Sequence, residues 1–293
     1  MSIPMNSICL ECFLSKRLDQ ARKLGTDEQA TQVARMLTRM FTESPADMDS
    51  AILGGLCDQE INKIFGLEAD RMREEKTMSN RFVLDRLDTI RSRIQKAADP
   101  VYSALQFAVL GNYLDFSALY GQVSFEKLDE MLDQAVEMDL DKACYGDFCR
   151  DLEQGKRLLY ITDNAGEICF DRLLGEEIAK AYPHLEVTFL VRGEPVVNDA
   201  TREDAEIAGI TFPVIDNGTA IGGTALKLIS SEAKAAIDAA DVILAKGMGN
   251  TESMYGCGYN VYYAFLVKCA RFMQFFDAPK LKPMFIRDRV ESK

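Results

Sequence analysis

Three segments of the chain carry side chains suited to metal and phosphate chemistry. The first is Asp163-Asn164-Ala165-Gly166-Glu167, the second runs from Arg192 to Thr201 and contains Asn198-Asp199, and the third is Lys246-Gly247-Met248-Gly249-Asn250-Thr251-Glu252. Carboxylate and amide oxygens are hard donors, which favour Mg2+ or Mn2+ over softer metals. A lysine beside a glycine-rich turn offers a positive charge and backbone N–H groups that can cradle a phosphate. Alone, each segment has a plainer reading. Asp-Asn after a strand is a turn or a helix cap, Gly-Met-Gly turns the chain, and Asp199 caps a helix beginning at Ala200. Gathered in one crevice, they favour a metal–phosphate site.

The remaining composition narrows the chemistry. His184 is the single histidine and no Gly-x-Ser-x-Gly elbow accompanies it, so a Ser-His-Asp or Cys-His mechanism would have to run through that residue. Histidine-rich zinc catalysis is excluded on the same count. Acidic residues outnumber basic ones 46 to 34, for a net charge of −12. That balance argues against nucleic acid or an anionic membrane as a main partner, and it requires a local positive centre for any small anionic substrate. No apolar run approaches a membrane span, and the start MSIPMNSICLEC lacks a signal pattern. The eight cysteines are scattered and read as mostly reduced thiols, so a cytoplasmic location is expected.

The elements that must position these residues fall into two blocks. Residues 1–150 read almost wholly as helix. Thr26-Asp27-Glu28-Gln29 looks like a capping box opening a helix through Met40, and residues 68–98 form one long charged amphipathic stretch. Asp99-Pro100 starts a further apolar helix that Gly111-Asn112 interrupts, and Ser124 caps another through Met138. From about residue 155 short β-rich runs alternate with helical patterns: strands at 157–162, 185–191, 211–215 and 241–245, then around 261–267 and 283–286. That rhythm means βαβ units and a mainly parallel sheet over 151–293. In such a sheet, ligands bind outside the carboxyl ends of the strands, where all three polar segments fall.

At these residues the chain resembles the damage-control phosphatases, long labelled domain of unknown function 89, in the bacterial and archaeal branch with a Cys-x-x-Cys start. The segments that carry the resemblance are Cys9-Leu10-Glu11-Cys12, Gly111-Asn112-Tyr113-Leu114-Asp115, Asp163 to Glu167 with Asp171, Asn198 to Thr201, and Lys246 to Asn250 with Glu252. Met248 departs from the glutamine usual in that branch. The resemblance implies an α/β fold, a three-layer α/β/α sandwich behind an N-terminal all-helical domain. It also implies a divalent metal on Asp163, Asn164 and Asp199, and hydrolysis of sugar phosphates or damaged phosphometabolites. Mg2+ or Mn2+ is expected, with Co2+ or Ni2+ as alternatives. Asp163 is the candidate general base or nucleophile, with Asp199 catalytic beside it. Asn112, Asp115, Glu167, Asn198, Lys246, Gly247, Gly249 and Asn250 are the expected substrate contacts, with Lys246 on the phosphate.

Two other classes compete with a phosphatase: an S-adenosylmethionine-dependent carboxyl methyltransferase and a non-catalytic metabolite-binding module. The first would need a better nucleoside-binding turn than Asp163-Asn164-Ala165-Gly166, which has one glycine. Release of inorganic phosphate with added metal separates the phosphatase from both. Cys9 and Cys12 share a helix face and form half a tetrahedral zinc site, or else a pair of packed thiols.

Overall fold

The structure, a computed structural model, describes residues 3–45, 48–115, 119 and 123–288. Helices α1 (Ser7–Leu24), α2 (Asp27–Glu43) and α3 (Ser50–Phe65) come first. Each begins where a short polar side chain accepts from orphaned helix N–H groups: Asn6 from Ile8 and Cys9, Thr26 from Gln29, Asp49 from Ala51. Thr26 and Gln29 complete the expected capping box. These helices close their own small core of Ala21, Val33, Leu37, Leu53, Cys57 and Ile61.

The charged stretch after residue 68 is two helices rather than one, α4 (Arg73–Leu84) and α5 (Leu87–Lys96), separated at Asp85-Arg86. Then come α6 (Pro100–Gly111), α7 (Phe125–Asp133), a 3-10 turn (Ala135–Glu137) and α8 (Lys142–Gln154). Pro100 sits in the first turn of α6, with Asp99 capping it through the Tyr102 N–H.

The second half alternates β1 (Arg157–Ile161), α9 (Glu167–Ala181), β2 (Glu186–Val191), α10 (Arg202–Ile207), β3 (Val214–Asp216), α11 (Ser231–Ala239) and β4 (Val242–Lys246). It ends with α12 (Gly247–Met254), β5 (Val261–Leu266), α13 (Ala270–Phe276) and β6 (Pro283–Arg287). The six strands lie in the order β3-β2-β1-β4-β5-β6, parallel except for the antiparallel edge strand β6. The order reverses between β1 and β4, which sets a crevice beyond their carboxyl ends.

Side chains alternate between the two faces of the sheet. Leu158, Tyr160, Phe189 and Leu244 join a core with α4 to α9, while Leu159, Ile161, Ile243 and Phe265 join one with α11 to α13. The sheet is therefore buried on both faces, the three-layer arrangement that β-rich runs with no polar face require. The first core runs without a break from Val83 and Leu110 to Tyr160 and Phe189. Position 150 accordingly does not separate two cores; the helices with a core of their own are α1 to α3. Among the described residues, no helix is long and apolar enough to cross a membrane.

Candidate active site

Asp163 lies two residues past β1 and Asp199 at the end of the loop leaving β2. A backbone bridge pairs Asn164 with Asp199, and the Ala200 N–H donates to the Asp163 carbonyl at 2.7 Å. Val197, in that loop, adopts φ 46°, a left-handed conformation costly for a β-branched residue. The loop is thus bent sharply just before Asn198 and Asp199. Both carboxylates meet the guanidinium of Arg192: Nε donates to Asp199 Oδ2 at 2.6 Å, and Nη2 lies 3.6 Å from Asp163 Oδ1. Arg192 is buried, and both its Nη atoms lack a hydrogen-bond partner.

Asp163 is oriented by amides. Asn164 Nδ2 donates to its Oδ2 at 2.7 Å and Asn112 Nδ2 at 3.0 Å. Asn112, just past the last turn of α6, also donates to Glu167 and accepts from the Leu266 N–H at 3.0 Å. One buried amide thus braces the helical layer, the end of β5 and the β1 loop. It approaches Asp163 as expected, and its amide is taken up by Asp163, Glu167 and the Leu266 N–H.

Beneath lies a sealed ion cluster. Lys246 Nζ donates to Glu167 Oε1 at 2.6 Å, Ala108 O at 2.7 Å and Asp171 Oδ1 at 3.0 Å. Tyr160 donates to the same Asp171 oxygen at 2.7 Å. All three ammonium donors are used and the side chain has no exposure. The expectation that Lys246 reaches a substrate phosphate is therefore corrected: its charge is consumed by two carboxylates that cannot be buried unpaired. Burial opposes the lysine's charge, yet Asp171 and Glu167 together hold it protonated above its ordinary range. Burial lifts Asp171 to about 7 in spite of Lys246.

The third polar segment is a helix rather than a flexible loop. Gly247 opens α12 with φ 78°, and a Cβ there would lie 1.9 Å from Asp163 Oδ2. Glycine is needed both for the backbone and for the close approach. At Gly249 a Cβ would fall 2.0 Å from the Gly222 carbonyl, so α12 packs directly on that turn. Asn250 is buried, its amide bonded to Thr162, Lys246 and Thr224.

A cavity of about 750 Å3 opens above this layer, between the strand ends and helices α1 and α3. Of the expected residues, Asp115, Asp163, Asn164, Asp199 and Gly249 line it. Asn112, Glu167, Asn198, Lys246, Gly247 and Asn250 are not among the residues that line it. Asn198 Nδ2 instead donates to Leu114 O at 2.8 Å. Lys268, two residues past β5, was missed from the sequence: its Nζ donates to Asp115 Oδ2 at 2.6 Å and to Asn112 O at 2.8 Å, on the cavity wall. Its place at a strand's carboxyl end was the available signal. Met248 also faces the cavity and accepts from the Lys268 N–H through its sulfur at 3.4 Å.

Negative charge dominates the floor. Burial, then the charges of Glu167 and Asp199, push the Asp163 carboxyl well above the usual range, with Lys268 pulling the other way. Burial lifts Asp199 to about 6 against the pull of Arg192. Two crowded carboxylates that resist ionising together, with an amide beside them, suit a hard divalent cation. Among the described residues no group of three or more His, Cys, Asp or Glu is arranged to hold a metal, so any such site depends on the Asn164 amide. Cys9 and Cys12 line the cavity, both free, with burial raising the Cys9 thiol.

Residues 5–281 match the damage-control phosphatase ARMT1-like domain. The damage-control phosphatase PH1575 of Pyrococcus horikoshii is 31% identical over 293 residues, covering 97% of this chain and 98% of that one. A damage-control phosphatase of Archaeoglobus fulgidus is 29% identical over 258 residues, covering 85% and 87%. The crystal structure of the DUF89 family protein PH1575 superposes with a TM-score of 0.84 at 28% identity, over 98% of this chain and 99% of that one.

Proposed function

The chain belongs to the damage-control phosphatase ARMT1-like family, and from that premise we propose that it is a metal-dependent hydrolase of phosphomonoesters. Its substrates on this reading are small phosphorylated metabolites, sugar phosphates or damaged phosphometabolites among them. A phosphatase-type function follows from the relatives; the metal and the substrate class are the proposal. The observation that supports it best is the convergence of Asp163 and Asp199, from two strand ends, on one buried guanidinium that does not fully neutralise them.

Asp163, Asn164 and Asp199 would hold the cation. When bound, a divalent ion neutralises phosphoryl oxygens and lowers the cost of charge in the transition state. Lys268 Nζ is itself unexposed and held by Asp115 Oδ2 and Asn112 O, so on this reading it acts on a phosphate through Asp115, which lines the cavity, and not by open contact. The positively polarised start of α12 lies beside Asp163 and favours an anion there. Asp163 acts either by taking the proton of the attacking water or by attacking phosphorus itself. In the first route the ester P–O bond breaks as the water oxygen bonds to phosphorus, and the proton taken by Asp163 passes to the leaving alcohol. In the second the same bond breaks as Asp163 becomes an acyl phosphate, and the alkoxide takes a proton from solvent. Water then hydrolyses the acyl phosphate to inorganic phosphate and free Asp163.

The test is release of inorganic phosphate from a panel of sugar phosphates and pantetheine phosphates with Mg2+, Mn2+, Co2+ and Ni2+ compared. Asp163→Asn and Asp199→Asn should each lower kcat by roughly a hundredfold or more and weaken metal binding measured by calorimetry. No phosphate release from any ester with any of the four metals would overturn the reading.

A further inference from the structure

The cavity extends well past the groups needed to hold a phosphate. At about 750 Å3 it lies in the range of drug-sized ligands. Ser50, in the first turn of α3, donates to Glu252 Oε2 at 2.7 Å and marks the end next to α12. Asp58 lies eight residues further along the same helix, roughly 12 Å by helix rise. There the wall turns basic.

Arg17 of α1 donates from Nη2 to Asp58 Oδ2 at 3.3 Å and to Gly54 O at 3.2 Å, and its guanidinium lies 4.5 Å over the Phe13 ring. Arg71 donates to Asp58 Oδ1 at 3.3 Å and to Asn62 Oδ1 at 3.1 Å. Two guanidinium groups therefore share one carboxylate, and one positive charge is left over. Arg17 Nε is buried without a partner. Lys16, Gln20, Met72 and Glu75 also line the cavity, with Lys16 and Glu75 cancelling in formal charge. In a chain of net charge −12, a preorganised and incompletely neutralised arginine pair facing a cavity is an anion receptor by its chemistry.

We propose that Arg17 and Arg71 form a second anion site, and that the preferred substrates are elongated phosphomonoesters with a carboxylate or second phosphate remote from the scissile group. The proposal rests on the phosphatase reading above and narrows it away from compact sugar phosphates. An aromatic ring and two helices hold the guanidinium planes in place, so an anion arriving there meets little ordering cost.

The experiment compares phosphate esters of ω-hydroxy carboxylic acids of increasing length with their matched ω-amides, and with monophosphates and bisphosphates of linear diols. With the wild-type protein, KM for the long carboxylate or bisphosphate should fall about tenfold below the neutral match, while the shortest esters show no difference. Arg17→Gln and Arg71→Gln should remove that preference and leave the KM of the neutral esters unchanged. A purely structural ion pair predicts the reverse, equal effects on both series. Equal wild-type KM for carboxylate and amide at every length overturns the second site while leaving the phosphatase intact. Should no ester be hydrolysed, calorimetric binding of the same esters tests the second site directly, and equal affinities for carboxylate and amide again overturn it.

Discussion

Arg192 Nε donates to Asp199 Oδ2 at 2.6 Å, although neither side chain has appreciable contact with solvent. The same guanidinium stands 3.6 Å from Asp163 Oδ1, so one residue is the internal counter-ion for both carboxylates among the candidate metal ligands. Removing it should expose their repulsion. Arg192→Met is expected to lose about 3 kcal/mol of stability in chelator, because a broken buried pair leaves uncompensated charge. Millimolar Mn2+ should restore more of the Tm in the variant than it adds to the wild type. Equal metal-induced shifts in the two proteins would show that the carboxylates do not share a cation.

Lys246 ends β4 and Lys268 lies two residues past β5; both side chains are buried, but only Lys268 is at the cavity lining. Lys246→Met breaks a fully enclosed cluster with Glu167 and Asp171 and should cost about 3–5 kcal/mol in denaturant unfolding. Lys268→Met breaks a buried pair with Asp115, a carboxylate that lines the cavity, and should also cost stability. It should raise KM for phosphomonoesters about tenfold. A folded Lys268→Met protein with unchanged KM, or a Lys246→Met protein that keeps its stability and loses KM, would place the phosphate at the wrong lysine.

Gly247→Ala tests the contact between α12 and Asp163. The added methyl group meets the carboxylate at a distance no Cβ adopts, on a backbone with φ 78°. The cost is expected to be about 1–2 kcal/mol of stability. Because Asp163 must move, phosphate release should fall far more than stability does. Full activity in a folded Gly247→Ala protein would mean that Asp163 tolerates displacement and is not the central group.

Glu252 sets a pH dependence of folding. Burial lifts its carboxyl from the ordinary 4.5 to about 7, with Ser50 opposing. The folded state therefore holds this proton more tightly than the unfolded chain between those values. Its contribution is complete below about pH 4.5, declines as the pH rises, and is lost above about pH 7. Glu252→Gln should flatten urea stability across that window and gain about 2 kcal/mol over wild type at pH 8. Parallel wild-type and variant curves from pH 5 to pH 8 would contradict a proton-binding Glu252.

The sequence alone carried the layer order and the address of the site. Alternating β-rich and helical runs after residue 155 follow from local hydrophobic period, and Asp163 and Asp199 followed two of those runs, so the strand-end rule placed both at the crevice. Capping at Thr26 and Asp99 is equally local chemistry. Which polar side chains face the cavity was a different matter. Lys246 and Glu167 are 79 residues apart, and nothing near either one announces that they neutralise each other out of reach of solvent. Gly247 to Asn250 read as a glycine-rich turn because glycine disfavours helix, yet a Cβ at Gly247 would strike Asp163 and one at Gly249 the Gly222 carbonyl, and helix packing overrides propensity. Lys268, Arg192 and the Arg17–Asp58–Arg71 group owe their roles to elements distant in sequence. Period and capping are encoded within a few residues; charge pairing and cavity exposure depend on what the rest of the chain lays against them, and the tertiary structure decided those.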